Sequence, residues 1–411
     1  MAAPTIPAPG RGAPPHAFDE GVLALPFFDD RHVHFARGIG AWCFERTELW
    51  AEADRLAPAE AGARILRELG RDGWLGFLDP FAAPSVSGPA DPGDFRSLSL
   101  AREALAYAHD LADFAYSIQA LSACPLLLHG SEEQKKRYLP EMAAGTLSGA
   151  FAVSEQECGS DAASVALAAR AVPGGYVLDG GKAWIANGVG ADLFCVIART
   201  GEGPGALGLT AFLVPGDTPG LGREPVDLIA PRSMAHLSFE GCRVPADAVL
   251  GRPGTGFVVA MDVLDRFRLT VGAAALGFAR RAGDAALTRA RTRRIYGATL
   301  FDLPTVRQDL AEIEVELNAA ALLVARAAWE LDRGSRGFAK HSAIAKLHAT
   351  EAAQRVVDAG VQVCGAAGLV AGSTTERLYR QIRSLRLYEG ASEVQKTVIA
   401  GSLSRRPTRE L

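Results

Sequence analysis

Phe151-Ala152-Val153-Ser154-Glu155-Gln156-Glu157-Cys158-Gly159-Ser160-Asp161 is where this 411-residue chain changes texture. Before it, from about Asp19 to Ala144, apolar residues recur at helical spacing. Ile65, Leu66 and Leu69 make one stripe, and Leu105 to Ile118 another. After it, as far as about Leu250, glycine and proline become frequent and short β-rich runs alternate with turns. Tyr176-Val177-Leu178-Asp179, Gly180-Gly181 and Lys182-Ala183-Trp184-Ile185 read as a hairpin with a two-residue glycine turn. Phe194 to Ala198 and Leu209 to Val214 read as further strands. From about Phe257 helical periodicity returns, with Leu310 to Leu331 and Lys340 to Cys364 as long amphipathic stretches. The order is α, then β, then α. It predicts an α+β multidomain chain with a helical domain at 18–146, a small β-barrel or sandwich at 147–255 and a second helical domain at 256–405. The Ala-, Pro- and Gly-rich residues 1–17 read as a disordered leader and 406–411 as a tail. Asp79 to Asp94 reads as a long irregular loop.

The composition is that of an ordinary globular protein, with 48% hydrophobic and 22% charged residues and a net charge of −4. Basic residues do not dominate, which argues against a nucleic-acid partner. No run of about 18 apolar residues predicts a membrane span. Six scattered cysteines without a Cys-x-x-Cys pair suit a reducing, cytoplasmic setting. His32 and His34 are the closest histidine pair. They have no convincing ligand partners nearby in sequence, so no metal site is expected.

Four segments carry chemistry. Residues 151–161 bring Ser154 and Ser160 together with a glycine. The segment suits either a strand-capping turn or a loop offering N–H groups and hydroxyls to a ring edge or phosphate. In Lys182-Ala183-Trp184-Ile185-Ala186-Asn187-Gly188, Trp184 is either a core residue or a surface for a planar cofactor. Arg293-Arg294-Ile295-Tyr296-Gly297 suits a pyrophosphate next to a ring or a solvated basic helix face. Tyr388-Glu389-Gly390 follows a basic helical run, Arg377 to Arg386. It suits either a solvated helix end or a carboxylate stripped of water by neighbouring rings and aliphatic groups, which would hold its proton more readily and become a better base near neutral pH.

Taken together, and with His129-Gly130-Ser131-Glu132-Glu133-Gln134 and Phe239-Glu240-Gly241-Cys242-Arg243-Val244-Pro245, these segments resemble the flavin-dependent acyl-CoA dehydrogenases. The resemblance covers nearly the whole chain after the leader. It implies an N-terminal helical domain, a middle β-barrel, a C-terminal four-helix bundle, non-covalent FAD and a homo-oligomer, dimer or tetramer. It places Phe151, Val153, Ser154, Trp184, Ile185, Ala186, Ala391 and Glu393 at the cofactor. Arg293, Tyr296, Gln362, Gly365 and Ala366 would reach the FAD of a neighbouring subunit. Ser160, Asp265, Arg268, Tyr388 and Gly390 would face the substrate, and Glu389 would be the catalytic base. Some relatives carry the base just before the position of Arg268, but Phe267 stands there and cannot take a proton.

The implied reaction removes the α-proton of an acyl-CoA while the β-hydrogen leaves as hydride to the flavin, giving the trans-2-enoyl thioester. An electron-transferring flavoprotein would be the acceptor. The alternative is the same fold working on a carrier-protein-tethered acyl group, or as a flavin oxidase or monooxygenase. The chain departs from the family at Ala186 and Ala391, where threonine is common, and at Pro304, where glutamine is common.

Overall fold

The computed structural model describes residues 17–82 and 93–404. The expected leader (apart from Ala17, which is buried), most of the 79–94 loop and the tail lie outside the described residues. The first domain packs α1 (Glu20–Leu23), α2 (Asp30–Glu45), α3 (Thr47–Ala53), α4 (Pro58–Arg71), α5 (Phe95–Ala108), α6 (Asp110–His129) and α7 (Glu132–Ala143) around one core. The start of α7 follows from sequence. Ser131 accepts from the Gln134 N–H while the Gln134 side chain accepts from the Ser131 N–H, a reciprocal cap. Helix α6 is long and apolar enough to cross a membrane by composition. Within this fold 83% of its apolar window is buried, so it is a core helix.

The middle domain is an eight-stranded sheet: β1 (Gly149–Ala152), β2 (Ala168–Val172), β3 (Gly175–Ala186), β4 (Leu193–Arg199), β5 (Leu209–Pro215), β6 (Leu221–Pro225), β7 (Met234–Pro245) and β8 (Val249–Leu250). The hydrogen-bonded order is β6-β7-β3-β2-β4-β5-β8, with β1 parallel to β4. Its two halves meet where Ala168 pairs with Arg199. Phe194, Val196 and Phe212 from one half and Leu178, Leu237 and Phe239 from the other share a single core, so the sheet wraps round its inner face.

The glycine-turn hairpin is not formed. Residues 175–186 are one continuous strand antiparallel to β7, and Gly180 is a bulge within it. Gly180 has φ +134, and a Cβ there would meet Leu167 at 3.1 Å. The turn lies earlier, at Pro173-Gly174, where Val172 pairs with Gly175. A glycine pair is a local signal, whereas the register along β7 is set by nine paired positions and their burial, which prevail.

The last domain begins with α8 (Gly256–Thr292), followed by the small ribbon β9 (Arg294–Ile295) and β10 (Ala298–Thr299), then α9 (Pro304–Asp332), α10 (Phe338–Cys364), α11 (Thr374–Ile382) and α12 (Ser392–Leu403). Helices α8 to α11 share a core rich in small residues, including Ala274, Ala321 and Ala349, to which α11 adds Leu378. Helix α8 also lies hard against α5. A Cβ on Gly277 would fall 2.2 Å from the Glu103 carbonyl oxygen, and Phe267 packs edge to face on Phe95 at 5.7 Å. That packing fixes Phe267 in the interior, 3% exposed, and brings the polar face of α5 beneath the 387–391 segment.

Candidate active site

The 387–391 segment is built from backbone outward. A short 3-10 turn, Arg383–Arg386, ends in Leu387; α12 starts at Ser392. Between them Glu389 has φ +50 and Gly390 φ +89, two successive left-handed residues. For glutamate that conformation costs about 1–2 kcal/mol, so something must hold it. Lys346 on α10 donates from Nζ to the Gly390 carbonyl at 2.7 Å. Gln395 on α12 donates from Nε2 to the same carbonyl at 2.8 Å and to the Glu389 carbonyl at 3.3 Å. Both side chains are fully buried. Glu351 on α10 clamps both flanks, accepting from Arg386 at 2.8 Å and from the Ser392 hydroxyl at 2.6 Å.

The Glu389 carboxyl faces inward. Its Oε2 is closed to solvent and has no hydrogen-bond partner, and among the described residues its backbone N–H is also unused. Burial raises its pKa above the ordinary carboxylate value, with Asp113 adding to the rise. Arg102, Lys346 and Arg268 oppose it without cancelling it. Beside it burial pushes the Tyr388 hydroxyl up to about 12. Two of the facing cations have their own carboxylates. Arg102 grips both oxygens of Asp113, at 2.8 and 3.0 Å, and donates to Thr270 at 2.9 Å. Arg268 pairs with Asp265 at 2.7 Å while its Nη1 stays unpartnered. The three domains are tied together at this place by Arg232, just before β7. It bonds to Asp110 of α6 and to Ser384, and lies over the Phe114 ring at 5.5 Å.

On the barrel side the 151–155 segment runs off β1 against β3. The Ala183 N–H donates to the Ser154 carbonyl at 2.9 Å. Lys182, with a fully buried side chain, donates to the Val153 carbonyl and to Glu155, both at 2.8 Å. Glu155 also accepts from the Ala166 and Leu167 N–H groups, at 2.8 and 2.9 Å. Against its own burial, these bonds hold it below the ordinary carboxylate range. The Ser154 hydroxyl makes no hydrogen bond among the described residues. Trp184 has φ +60 and is 49% exposed, its indole edge to face with His236 at 4.6 Å. An open indole beside an unused hydroxyl and a pinned backbone segment is a donor and stacking set that fits the ring of FAD.

The expected residues separate into groups. Phe151, Val153, Ser154, Trp184 and Ala186 gather at the barrel end. Glu389, Tyr388, Gly390, Arg268 and Asp265 gather at the bundle. The Ile185 side chain differs from expectation: it is 2% exposed in the barrel core, because strand alternation turns it away from the Trp184 face. Ser160 and Glu393 are exposed. Arg293, Tyr296, Gln362, Gly365 and Ala366 all lie on the surface, with Tyr296 91% exposed at φ +49. Arg102, Asp113, Lys346 and Gln395 were not singled out from sequence. Their signal was a charge or amide inside an otherwise apolar or small-residue helical stripe.

The sequence matches three family descriptions in order: acyl-CoA dehydrogenase N-terminal domain over residues 35–146, middle domain over 150–242 and C-terminal domain over 254–404. The mitochondrial short-chain specific acyl-CoA dehydrogenase of Homo sapiens is 42% identical over 284 residues, 68% of this chain and 69% of the relative. The structure of butyryl-CoA dehydrogenase from Megasphaera elsdenii matches with a TM-score of 0.83 and 30% identity, covering 92% of this chain and 99% of that one. A chain in the structure of the electron transferring flavoprotein of Acidaminococcus fermentans matches with a TM-score of 0.82 and 28% identity, again covering 92% and 99%. The α, β and α domains and their order agree with these matches: the chain belongs to the acyl-CoA dehydrogenase family of flavoprotein oxidoreductases.

Proposed function

We propose that this protein dehydrogenates a short acyl-CoA at the bond between its α- and β-carbons, with Glu389 removing the α-proton. One observation carries this reading: half-buried Glu389 is held in a left-handed turn with one carboxyl oxygen closed to solvent and satisfied by no protein group. A carboxylate kept dry has a raised pKa, which brings it closer to the weakly acidic proton it must accept. The unused Glu389 N–H is available to the thioester carbonyl, where negative charge develops as the proton leaves. FAD, when bound, supplies the acceptor for the β-hydride. Phe151, Val153, Ser154, Trp184, Ala186, Ala391 and Glu393 would hold it within one subunit. Arg293, Tyr296, Gln362, Gly365 and Ala366 would contact it from a second copy in a homo-oligomer.

The short acyl group is supported by the residues around the base. Arg102 and Asp113, 1% and 3% exposed, form a bonded ion pair whose charges act on Glu389, so the interior beside the base is ionic rather than a purely apolar bed for a long hydrocarbon tail. Displacing or desolvating that pair would cost several kcal/mol. The human and Megasphaera relatives are named for short-chain and butyryl substrates. The Acidaminococcus match supports an electron-transferring flavoprotein as acceptor.

The test is anaerobic mixing with butyryl-CoA while the flavin absorbance is followed. Glu389→Gln should keep its yellow colour and lose bleaching by about 10²–10⁴-fold, the usual worth of a general base. Bleaching at the unchanged rate would remove Glu389 from the reaction. Turnover confined to carrier-tethered acyl groups would replace the CoA reading.

A further inference from the structure

Three cations face Glu389: Arg102 from α5, Arg268 from α8 and Lys346 from α10; the facing anion is Asp113 from α6. Arg102 is spent on Asp113, and Arg268 is paired with Asp265. Among the described residues Lys346 has no carboxylate within ion-pair distance. Its recorded hydrogen bond runs to the Gly390 carbonyl, 2.7 Å away. The groups that face it are Glu389, Arg268, Glu351 and Glu393. Glu351 is engaged by Arg386 and Ser392, and Glu393 is exposed. Of the charges acting on Lys346, that of Glu389 is the largest.

Burying an ammonium with a single carbonyl acceptor is expensive, and helix α10 does not need it. Its neighbours Ala345 and Ala349 fill the core without any polar group. Burial accordingly pulls the Lys346 pKa down to about 8. A charge kept at such cost, bonded to the residue after the base, has a use at the base.

Resting on the reading of Glu389 as base, we propose that Lys346 is its positioning residue in two respects: its Nζ–H fixes the left-handed turn through the Gly390 carbonyl, and its charge stabilises the Glu389 carboxylate. Gln395 shares the first task and not the second, because it donates to the same carbonyl as a neutral amide. The two side chains therefore separate geometry from charge.

The experiment measures the rate of anaerobic flavin bleaching by butyryl-CoA from pH 5.5 to 9 for three FAD-loaded proteins: the unaltered enzyme, Lys346→Met and Gln395→Leu. Methionine fills similar volume without a charge, an exchange cores usually tolerate. Without the lysine's charge the base holds its proton more tightly. The acidic limb of the Lys346→Met profile should move up by about one pH unit and its plateau fall by about tenfold. Gln395→Leu should lower the plateau with the limb in place. An unmoved limb in Lys346→Met, or equal movement in Gln395→Leu, overturns the charge role; an unchanged plateau in Lys346→Met overturns the positioning role. If the unaltered enzyme is not bleached at all, or Glu389→Gln bleaches normally, the fault lies with the assigned reaction and not with Lys346. FAD content and urea midpoints, measured alongside, separate a misfolded variant from a mispositioned base.

Discussion

The barrel and the bundle each bury one lysine beneath a loop of the site, and the two lysines are held differently. Lys182 reaches the Val153 carbonyl and Lys346 the Gly390 carbonyl, at 2.8 and 2.7 Å. Burial lowers both to about 8. Lys182, however, has Glu155 at 2.8 Å, and Glu155 is itself tied to two backbone N–H groups. That is a closed structural unit that sets the path of the 151–155 segment. Lys346 has no such partner, so its field falls on Glu389. On the functional reading proposed above, one fold thus uses the same residue type as a strut in the barrel and as a charged latch at Glu389.

The largest effect should come from opening the closed unit. Glu155→Gln leaves Lys182 buried without its counter-charge and should cost about 3–5 kcal/mol in urea unfolding of the FAD-loaded protein. Adding Lys182→Met should restore most of that loss, since the stranded charge is then gone. Lys346→Met should cost far less than Glu155→Gln, because no bonded carboxylate is stranded by it. A loss below about 1 kcal/mol in Glu155→Gln would erase the distinction between the two lysines.

A smaller effect tests the latch itself. Gly390→Ala puts a Cβ 2.5 Å from the Gln395 amide nitrogen and demands φ +89 of an L-residue. It should cost about 1–2 kcal/mol. By pushing Gln395 off the turn it should also slow flavin bleaching about tenfold while FAD stays bound. The mirror change on the strut side, Gly180→Ala, also demands a positive φ, +134, and meets the Leu167 side chain at 3.1 Å and its Cα at 3.4 Å; it lies in the barrel strand, so it should cost stability while leaving the bleaching rate of the FAD-loaded protein unaltered. Equal rates in the two variants would mean that the turn at Gly390 is not what aims the base.

Sequence carried the strut side less well than the order of domains. Helical periodicity on either side of a glycine- and proline-rich middle is a long-range signal, summed over many residues, and it placed the α, β and α sections. The Gly180-Gly181 pair was misread because a turn and a bulge demand the same backbone freedom. Only the pairing of β3 with β7 tells them apart. Tyr388-Glu389-Gly390 was legible only through the family resemblance, since a carboxylate between a ring and a glycine more often sits at a solvated helix end. Lys346 was not, since one lysine in an amphipathic helix normally marks the solvent face. The clue was the stripe Ser342, Lys346, Thr350, spaced four apart and fully buried among alanines, which a solvated face would not have made so small. Arg102 was hidden for the same reason, since its partner Asp113 lies on the next helix and no spacing rule links them.

The smallest effect bears most closely on the comparison, because its sign is at stake. If the Glu389 carboxylate were to Lys346 what Glu155 is to Lys182, a neutral residue in its place would destabilise the fold. The balance of fields says otherwise. Burial raises the Glu389 pKa even with Arg102, Lys346 and Arg268 facing it, so its ionised form is net unfavourable in the folded state. With the folded pKa above the unfolded one, the unfolded chain binds fewer protons, and stability falls as pH rises through that interval. Below the unfolded value, where both states are protonated, nothing is lost. Glu389→Gln should therefore melt above the unaltered protein at pH 8, with the gap closing as pH falls toward 4.5. Thermal midpoints of the two proteins at both pH values measure this. A lower midpoint for Glu389→Gln at pH 8 would make the carboxylate a counter-ion and the two lysines equivalent. A higher one would mean that the fold gives up stability to keep a dry base beside an unneutralised ammonium, as an active site poised for proton abstraction requires.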